Sequence, residues 1–201
     1  MIYYDDTEAW PDCPPEDLWV FDKLIVSKKL GYNCGPHGVD VPEPGNYIVR
    51  PSVNLMGMGR SAQFMYIEKS TDDILEDGTF WCEIFEGRHL SVDFIDGEQV
   101  LCVEGIKRPG DPLWRWREWK KVEDVVPLPE ILVPLKSRHK TFNIEMIGGK
   151  IIEIHLRLNP DFRDRDVTSI IPRFEGDIMP HMEGYRYISD PADKRLGFFV
   201  K

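Results

Sequence analysis

The sequence has little of what would fix its class at once. Its 201 residues hold four cysteines, at positions 13, 34, 82 and 102, with no CxxC pair and no metal-ligand spacing. No apolar run reaches the ~18 residues of a membrane span, and Met1–Tyr4 leads straight into Asp5-Asp6 without a signal-peptide pattern. We therefore expect reduced thiols in a cytoplasmic protein that does not contact a membrane.

Positive charge is also scarce. Lys and Arg number 25 against 35 Asp and Glu, which gives a formal net charge of -10. Duplex nucleic acid is bound through clustered basic side chains, and basic residues cluster only in Lys107–Lys121. We expect no duplex nucleic-acid partner, and the length allows one domain or two small lobes.

What the sequence does contain is a two-sided hairpin pattern from Thr141 to Phe162. Even positions are apolar and odd positions polar, the odd set being Asn143, Glu145, Glu153, His155 and Arg157. Because opposed residues of an antiparallel pair point to the same side, Met146 should face Ile152 and Glu145 should face Glu153. This register requires a three-residue turn at Gly148-Gly149-Lys150, and it pairs Asn143 with His155.

The two glutamates would then lie about 5 Å apart at their Cβ atoms. Opposed like charges destabilise a strand pair unless a positive group lies between them, and converging carboxylates bind hard divalent cations. The alternative is an ordinary solvated face on which both glutamates diverge into water.

The segment NIEMIGGKIIEIHLRLNP resembles the metal-binding hairpin of the ATP-grasp superfamily, where an acidic residue and a Glu-x-Asn hold Mg²⁺ against the ATP phosphates. The resemblance implies that Glu145 and Glu153 are metal ligands and that His155 replaces the asparagine. Imidazole suits Zn²⁺ or Mn²⁺ better than Mg²⁺, so His155 either binds metal or contacts phosphate or substrate. Arg157 resembles an arginine near the transferred phosphoryl group.

A helix is predicted after Pro14 and Pro15, with an apolar spacing of 3–4 residues and a stop at Gly31. Within it, FDKLIVSKKLGYNCGP resembles the opening segment of ligases of the D-alanine:D-alanine ligase kind. Lys23 matches the lysine that those enzymes aim at the phosphates. Its alternative is a solvated lysine on an amphipathic helix.

The strand Asn46–Arg50 is followed by a loop containing Gly57 and Gly59 and then by the strand Ala62–Ile67. Such a loop can cradle phosphate, because backbone N–H groups approach an anion closely where Cβ is absent; it can equally be a plain turn. In the family this strand ends in Lys-Pro. Arg50 keeps the charge but would grip phosphates as a fork.

The segment TFWCEIFEGRHLSVDFIDGEQVLCVEGI resembles the interlobe strand that passes along the adenine and ends at the ribose. Glu83 and Phe85 match the adenine-side stretch, and either Glu86 or His89 matches the ribose contact. The aromatic residues can also be core residues. Asp96-Gly97 is a strong signal for a type I′ hairpin.

The basic stretch KRPGDPLWRWREWKK alternates rings and guanidinium groups, which suits stacking and anion binding. Ligases of this kind carry a phosphate-contacting lysine after an aromatic-rich turn, so Lys120 or Lys121 is the candidate. A platform for single-stranded nucleic acid would use Trp114 and Trp116 in the same way. The third option is an amphipathic strand whose arginine stems cover the tryptophans.

The resemblance as a whole implies an α+β, ATP-grasp-like fold with two lobes, each with a mostly antiparallel sheet, and a nucleotide cleft between them. We expect an N-terminal arm and helix over residues 1–35, a small lobe over 36–106 and a metal-binding lobe over 107–201.

The implied function is an ATP-dependent carboxylate-amine or carboxylate-thiol ligase that acts through an acyl phosphate. It would use ATP with Mg²⁺ or Mn²⁺ and a carboxylate substrate, with Arg157 and Lys120 as catalytic residues. Few residues precede Lys23, so we expect one of three arrangements: a partner chain or a second copy completes the acceptor site, a large acceptor brings its own surface, or the protein binds nucleotide without ligating. The alternative is a non-catalytic nucleotide-binding or scaffold protein.

Overall fold

The computed structural model describes residues 1–53, 61–164, 166–192 and 195–201. The first sheet contains β1 (Cys34–Pro36), β2 (Gly45–Pro51), β3 (Gln63–Ile67) and β4 (Thr79–Cys82). The second contains β5 (His89–Ile95), β6 (Glu98–Ile106), β7 (Glu118–Lys121), β8 (Thr141–Ile147), β9 (Lys150–His155), β10 (Ser169–Phe174), β11 (Arg186–Ala192) and β12 (Arg195–Val200). The small sheet has the order β1-β4-β2-β3, and the large sheet has the order β11-β12-β10-β7-β6-β5-β8-β9.

All recorded strand pairs are antiparallel. The α+β class with two mostly antiparallel sheets is therefore confirmed. The strands change sheet after β4, and β6 pairs with β7 in the large sheet through Val103 and Lys121. The expected boundary between residues 106 and 107 thus separates two hydrogen-bonded strands and does not coincide with the change of sheet.

The helices are short. Within the described residues they are α1 (Asp6–Ala9), α2 (Lys23–Lys29) and three 3₁₀ segments, Pro15–Phe21, Glu130–Leu135 and Pro160–Phe162. The single helix predicted after Pro15 is wrong, because Asp22 is extended (φ -102°, ψ 104°) and its carboxylate accepts from the N–H groups of Leu24 and Ile25. The predicted stop is confirmed by Gly31, which has φ 74°.

The hairpin register at the polar end is confirmed: Glu145 pairs with Glu153 and Asn143 with His155. The apolar end differs, because a bulge between Glu145 and Met146 sets Met146 opposite Ile151 instead of Ile152. The turn has two residues, Gly148 and Gly149, both with positive φ. This is the two-residue turn whose twist matches the strands, and the bulge absorbs the residue that the three-residue turn would have used.

The main core lies between one face of the large sheet and the N-terminal helices, and includes Val26, Phe94, Phe142, Ile144 and Ile154. Burying each such side chain contributes roughly 1.5–3 kcal/mol. A second core, with Leu101, Val103, Phe162, Ile170 and Phe198, covers the other face near β6, β10 and β12. That same other face becomes polar towards β8 and β9.

Candidate active site

Glu145 and Glu153 lie on the polar end of this second face. They are directly opposed, and their side chains are 29% and 13% exposed. Glu145 pairs with Ser91 on β5, and Ser91 pairs with Val103 on β6, so Glu145 lies on the same face of the sheet as Val103 of the second core. Both carboxylates therefore face the side away from the main core, where an anion-metal complex can reach them.

Lys23 is the first residue of α2 and it is buried, with 5% of its surface exposed. Its backbone N–H donates to the carbonyl of Ser52 at 2.8 Å, which fixes the helix start beside the end of β2. Its Nζ lies 3.6 Å from Glu153 Oε1. Burial lowers the pKa of Lys23, and the carboxylate of Glu153 opposes this shift. The solvated-lysine alternative is therefore wrong.

Arg50 on β2 is a second buried cation, 8% exposed. Its guanidinium lies 5.2 Å from the ring centre of Phe80, and its Nε has no hydrogen-bond partner among the described residues. Burial lowers the pKa of Arg50, while the charge of Glu153 raises it. An unpaired buried donor costs about 1–3 kcal/mol. An anionic ligand that accepted a hydrogen bond from Arg50 Nε would remove this cost.

Glu145 is held by His89, whose Nε2 lies 3.1 Å from Glu145 Oε2. The His89 ring is packed edge-on against Trp116 and Trp119, with centroid distances of 4.5 and 5.5 Å. Burial alone would raise the pKa of Glu145, but the hydrogen bond and charge of His89, with His155 and Arg157, hold it at about 2. Glu145 is therefore a carboxylate at neutral pH.

His155 and Arg157 are both held by Asp6 from the N-terminal arm. His155 Nδ1 lies 2.9 Å from Asp6 Oδ2, and Arg157 Nε donates to the same oxygen at 3.1 Å. The other ring nitrogen of His155, Nε2, lies 3.5 Å from Glu153 Oε1. Sequence reasoning missed Asp6, because no local pattern marks one acidic residue in an acidic arm as a partner of the hairpin.

A buried polar network supports the end of this hairpin. Asn143 Nδ2 donates to Asp93 Oδ1 at 2.9 Å and to Ser91 Oγ at 2.8 Å, and the backbone N–H of Asn159 donates to Asp93 Oδ1. Asp93 is fully buried. The network was also missed by sequence reasoning, and it fixes the chain just beyond Arg157.

Lys120 does not join the two glutamates. It pairs with Glu104, which pairs with Leu90, and Leu90 pairs with Met146; Lys120 therefore lies on the opposite face from Glu145. Lys121 shares the face of Glu145 but is three strands away, across β6 and β5.

Lys107, the first residue of the basic stretch, lies beside Trp116, which packs against His89 of the site. Its Nζ lies 4.2 Å from the Trp116 ring centre. Burial lowers its pKa to about 8 against the opposing charges of Asp111 and Glu145. Two of the three arginines of this stretch are already paired, Arg115 with Asp177 and Arg117 with Asp111.

The connector from β4 to β5 crosses the tip of the hairpin. Glu83 accepts from the backbone N–H of Asn33 at 2.9 Å, and Phe85 packs edge-on against Tyr32 at 4.7 Å. A Cβ built on Gly148 would lie 2.0 Å from the carbonyl oxygen of Glu86, so only glycine allows this approach. Glu86 is exposed, whereas His89 is engaged with Glu145; Gly57 and Gly59 lie outside the described residues.

Within the part of the chain that the structure describes, no group of three or more His, Cys, Asp or Glu side chains is arranged to hold a metal ion. None of the helices in this part has the length and apolar character needed to cross a membrane.

No protein-family model and no curated protein matches this sequence, but solved structures do. Carboxyaminoimidazole ribonucleotide synthase from Aspergillus clavatus, complexed with ATP, superposes with a TM-score of 0.53 at 11% identity. The match covers 90% of this chain and 68% of that one. The chain has an ATP-grasp-like fold.

A further match is a protein from Archaeoglobus fulgidus described as belonging to the ATP-grasp superfamily, with a TM-score of 0.49 at 14% identity. It covers 91% of this chain, and the chain spans 64% of the length of that protein. The likeness to the Aspergillus clavatus structure concerns the fold alone.

Proposed function

We propose that this chain binds ATP between its two sheets and is an ATP-dependent ligase that joins a carboxylate to an amine or a thiol. The observation that carries the proposal is the burial of two cations, Lys23 and Arg50, at the end of the small sheet that meets Glu145 and Glu153. The two cations come from different elements, α2 and β2.

A buried cation is costly unless a negative group lies beside it. Glu153 lies beside Lys23, but Arg50 Nε is left without a described partner. A triphosphate would supply charge-assisted acceptors to both side chains, and guanidinium groups suit phosphate oxygens in particular. The buried pair is thus suited to the phosphates of ATP.

The donor set fits Mg²⁺ that arrives with the nucleotide. Mg²⁺ in such sites is bound through one or two carboxylates, with the remaining positions filled by phosphate oxygens and water. Glu145 and Glu153 would be those ligands. The bound ion would spread the charge of the transferred phosphoryl group. Mn²⁺ is the alternative ion.

His155 would have a positioning role in this proposal, because Asp6 and Glu153 already engage its two ring nitrogens. Arg157 would lie near the transferred phosphoryl group, and Lys107 would take the role expected of Lys120. Phe85 and Glu83 would line the adenine side, with the exposed Glu86 as the ribose contact.

In the proposed reaction the substrate carboxylate oxygen attacks the γ-phosphorus of ATP and releases ADP. An amine or thiol then attacks the acyl carbon and releases phosphate. The two lobes would keep water from the acyl phosphate. A partner chain or a second copy would complete the acceptor site.

Thermal unfolding with ATP and either Mg²⁺ or Mn²⁺ tests nucleotide binding. A ligand at 100 times its Kd adds about 2.7 kcal/mol of stability, which raises the Tm of a chain of this size by roughly 5–10 °C. We expect this shift in the native protein and in Glu98→Gln, an exposed control, and its loss in Glu153→Gln. Native protein that shows no shift at millimolar ATP would refute the proposal.

The second candidate function, a non-catalytic nucleotide-binding scaffold, is favoured by one observation. Asp6 already holds His155 and Arg157, as expected if these positions have become structural. ADP release in the presence of amino acids and peptides separates the two candidates. Nucleotide binding without carboxylate-dependent ADP release would support the scaffold.

A further inference from the structure

Two of the four cysteines face each other across adjacent strands. Cys34 on β1 pairs directly with Cys82 on β4. Because directly opposed residues of an antiparallel pair point to the same side of the sheet, both sulfur atoms lie on one face. Both thiols are free in this structure.

The hydrogen bonds flanking this pair define its geometry. Glu83 N–H donates to the Asn33 carbonyl, and His37 N–H donates to the Thr79 carbonyl. Hydrogen-bonded and non-hydrogen-bonded pairs alternate along an antiparallel ladder. Residues 33 and 83 form a hydrogen-bonded pair, so Cys34 and Cys82 form a non-hydrogen-bonded one.

The Cα atoms of a non-hydrogen-bonded pair lie closer together than those of a hydrogen-bonded pair. In the non-hydrogen-bonded pair they are about 4.5 Å apart, inside the range of roughly 4.4–6.8 Å that a disulfide spans. The two side chains can therefore be bridged with little movement of the backbone. Cys13 and Cys102 have no recorded strand pairing with another cysteine.

The two thiols differ in access. Cys34 is half-buried on β1 at the edge of the small sheet, whereas Cys82 is fully buried. Burial raises the pKa of the Cys34 thiol. The charges of Lys28 on α2 and Arg50 on β2 oppose this shift, and the charge of Glu83 adds to it. Burial likewise raises the pKa of Cys82 to about 12, again opposed by Arg50. A small oxidant reaches Cys34 first.

We propose that Cys34 and Cys82 are a modification site at which a hydroperoxide converts two thiols into a reversible intramolecular disulfide. The Cys34 thiolate attacks a peroxide oxygen, the O–O bond breaks, and Cys34 becomes a sulfenic acid. Cys82 sulfur then attacks Cys34 Sγ and displaces the hydroxyl, which leaves as water. In total two thiols are oxidised and one hydrogen peroxide is reduced to two waters.

The bond would form where the chain leaves the small sheet for the connector. Cys82 is followed by Glu83, whose side chain is bound to the N–H of Asn33, the residue before Cys34. The disulfide would tie β1 to β4 at this point and should lower amide exchange in the connector. The site is independent of the proposed ligase function, because it needs neither nucleotide nor metal.

Peptide mapping of the folded, native-sequence protein tests the proposal. The protein is treated with hydrogen peroxide, its remaining thiols are alkylated, and it is digested without reduction for mass spectrometry. We expect one linked peptide joining Cys34 to Cys82, alkylated Cys13 and Cys102, and full reversal by dithiothreitol. Cys13→Ser should retain the link, and Cys34→Ser should abolish it.

The reaction should also accelerate with pH, because the thiolate is the nucleophile and its population rises about tenfold per pH unit below the thiol pKa. Alkylation of all four cysteines, oxidation of Cys34 to a sulfinic acid with Cys82 still alkylated, or a link between two chains would each overturn the proposal. The mapping uses the native sequence, so it does not depend on how the variants fold.

Discussion

His155 Nδ1 lies 2.9 Å from Asp6 Oδ2, although 149 residues separate the two in the chain. The same carboxylate accepts from Arg157, so one residue of the N-terminal arm orients two side chains of the candidate active site. The arm is anchored around it, since the Tyr3 carbonyl accepts from the N–H of Leu158 and Ala9 is buried.

Replacing Asp6 should loosen this end of the hairpin. Asp6→Asn removes the charge shared by His155 and Arg157, and we expect a loss of about 1 kcal/mol, because Asp6 is partly exposed and its pairing is screened. Urea unfolding measures the change. Asp5→Asn is the matched control, since asparagine caps α1 as well as aspartate does while removing a charge from the same arm. Equal losses in both variants would contradict a specific role for Asp6.

Acid should destabilise the protein through Asp6 and Glu145. The pKa of each carboxyl is held at about 2 in the folded protein, below the ordinary values of 3.8 and 4.5. A carboxyl whose pKa is lower in the folded protein stabilises the fold when the pH is above the ordinary pKa. This stabilisation is lost as the pH falls towards the pKa of the folded protein. We expect a combined loss of about 2 kcal/mol between roughly pH 5 and pH 2.

Denaturation as a function of pH in the native protein and in Asp6→Asn and Glu145→Gln checks this loss. Each variant should show a shallower dependence over that window, since one of the two linked groups is gone. A native protein whose stability is flat from pH 5 to pH 2 would show that neither carboxyl is depressed.

A substitution at Arg50 should weaken nucleotide binding while leaving the stability of the free protein nearly unchanged. Arg50→Met removes a buried charge and an Nε donor that lacks a described partner, so we expect the unfolding free energy of the free protein to change by less than about 1 kcal/mol. ATP affinity should fall at least tenfold, about 1.4 kcal/mol, as measured by calorimetry.

Arg173→Met is the matched control for Arg50→Met. Arg173 also has a buried Nε without a described partner and lies over a ring, that of Phe199, but it belongs to β10, which β7, β6 and β5 separate from β8 in the large sheet. It should leave ATP affinity unchanged. Equal ATP affinity in Arg50→Met and the native protein would remove Arg50 from the proposed site.

The hairpin tip allows a sharp test of the contact with the connector. Gly148→Ala adds a Cβ 2.0 Å from the Glu86 carbonyl oxygen, whereas at Gly149 nothing lies within 4 Å; both residues have positive φ. Gly149→Ala should cost about 1–2 kcal/mol from backbone strain alone. Gly148→Ala should cost clearly more in chemical denaturation, and similar costs would mean that the two segments move apart easily.

Some of this structure could be predicted from local patterns. The alternation around Glu145 and Glu153 determined which face each residue takes, because a strand has a side-chain period of two and a slip would have buried charge. Asp96-Gly97 forms the expected turn with φ values of 52° and 83°, because asparagine, aspartate and glycine tolerate positive φ. In both cases the deciding interactions are between residues near one another in the chain.

Other features could not be predicted in this way. The break at Asp22 depends on a side chain that competes with the backbone for N–H groups, and a continuous apolar spacing does not reveal it. The face of Lys120 depends on the registers of three successive strand pairs, each set by distant packing. The resemblance matched Lys120 or Lys121, and the local pattern does not show which face of the sheet each lysine takes.

The amino-acid sequence by itself determined the alternating hairpin, because a strand has a side-chain period of two, and its glycine turn, because glycine tolerates positive φ. It also supplied the positively charged side chains at positions 23 and 50. Only the tertiary structure decided that Lys23 and Arg50 are buried, that Asp6 reaches His155, and that Cys34 faces Cys82. Those relationships join residues far apart in the chain, and they exist only where the packing of sheets and helices brings the segments together.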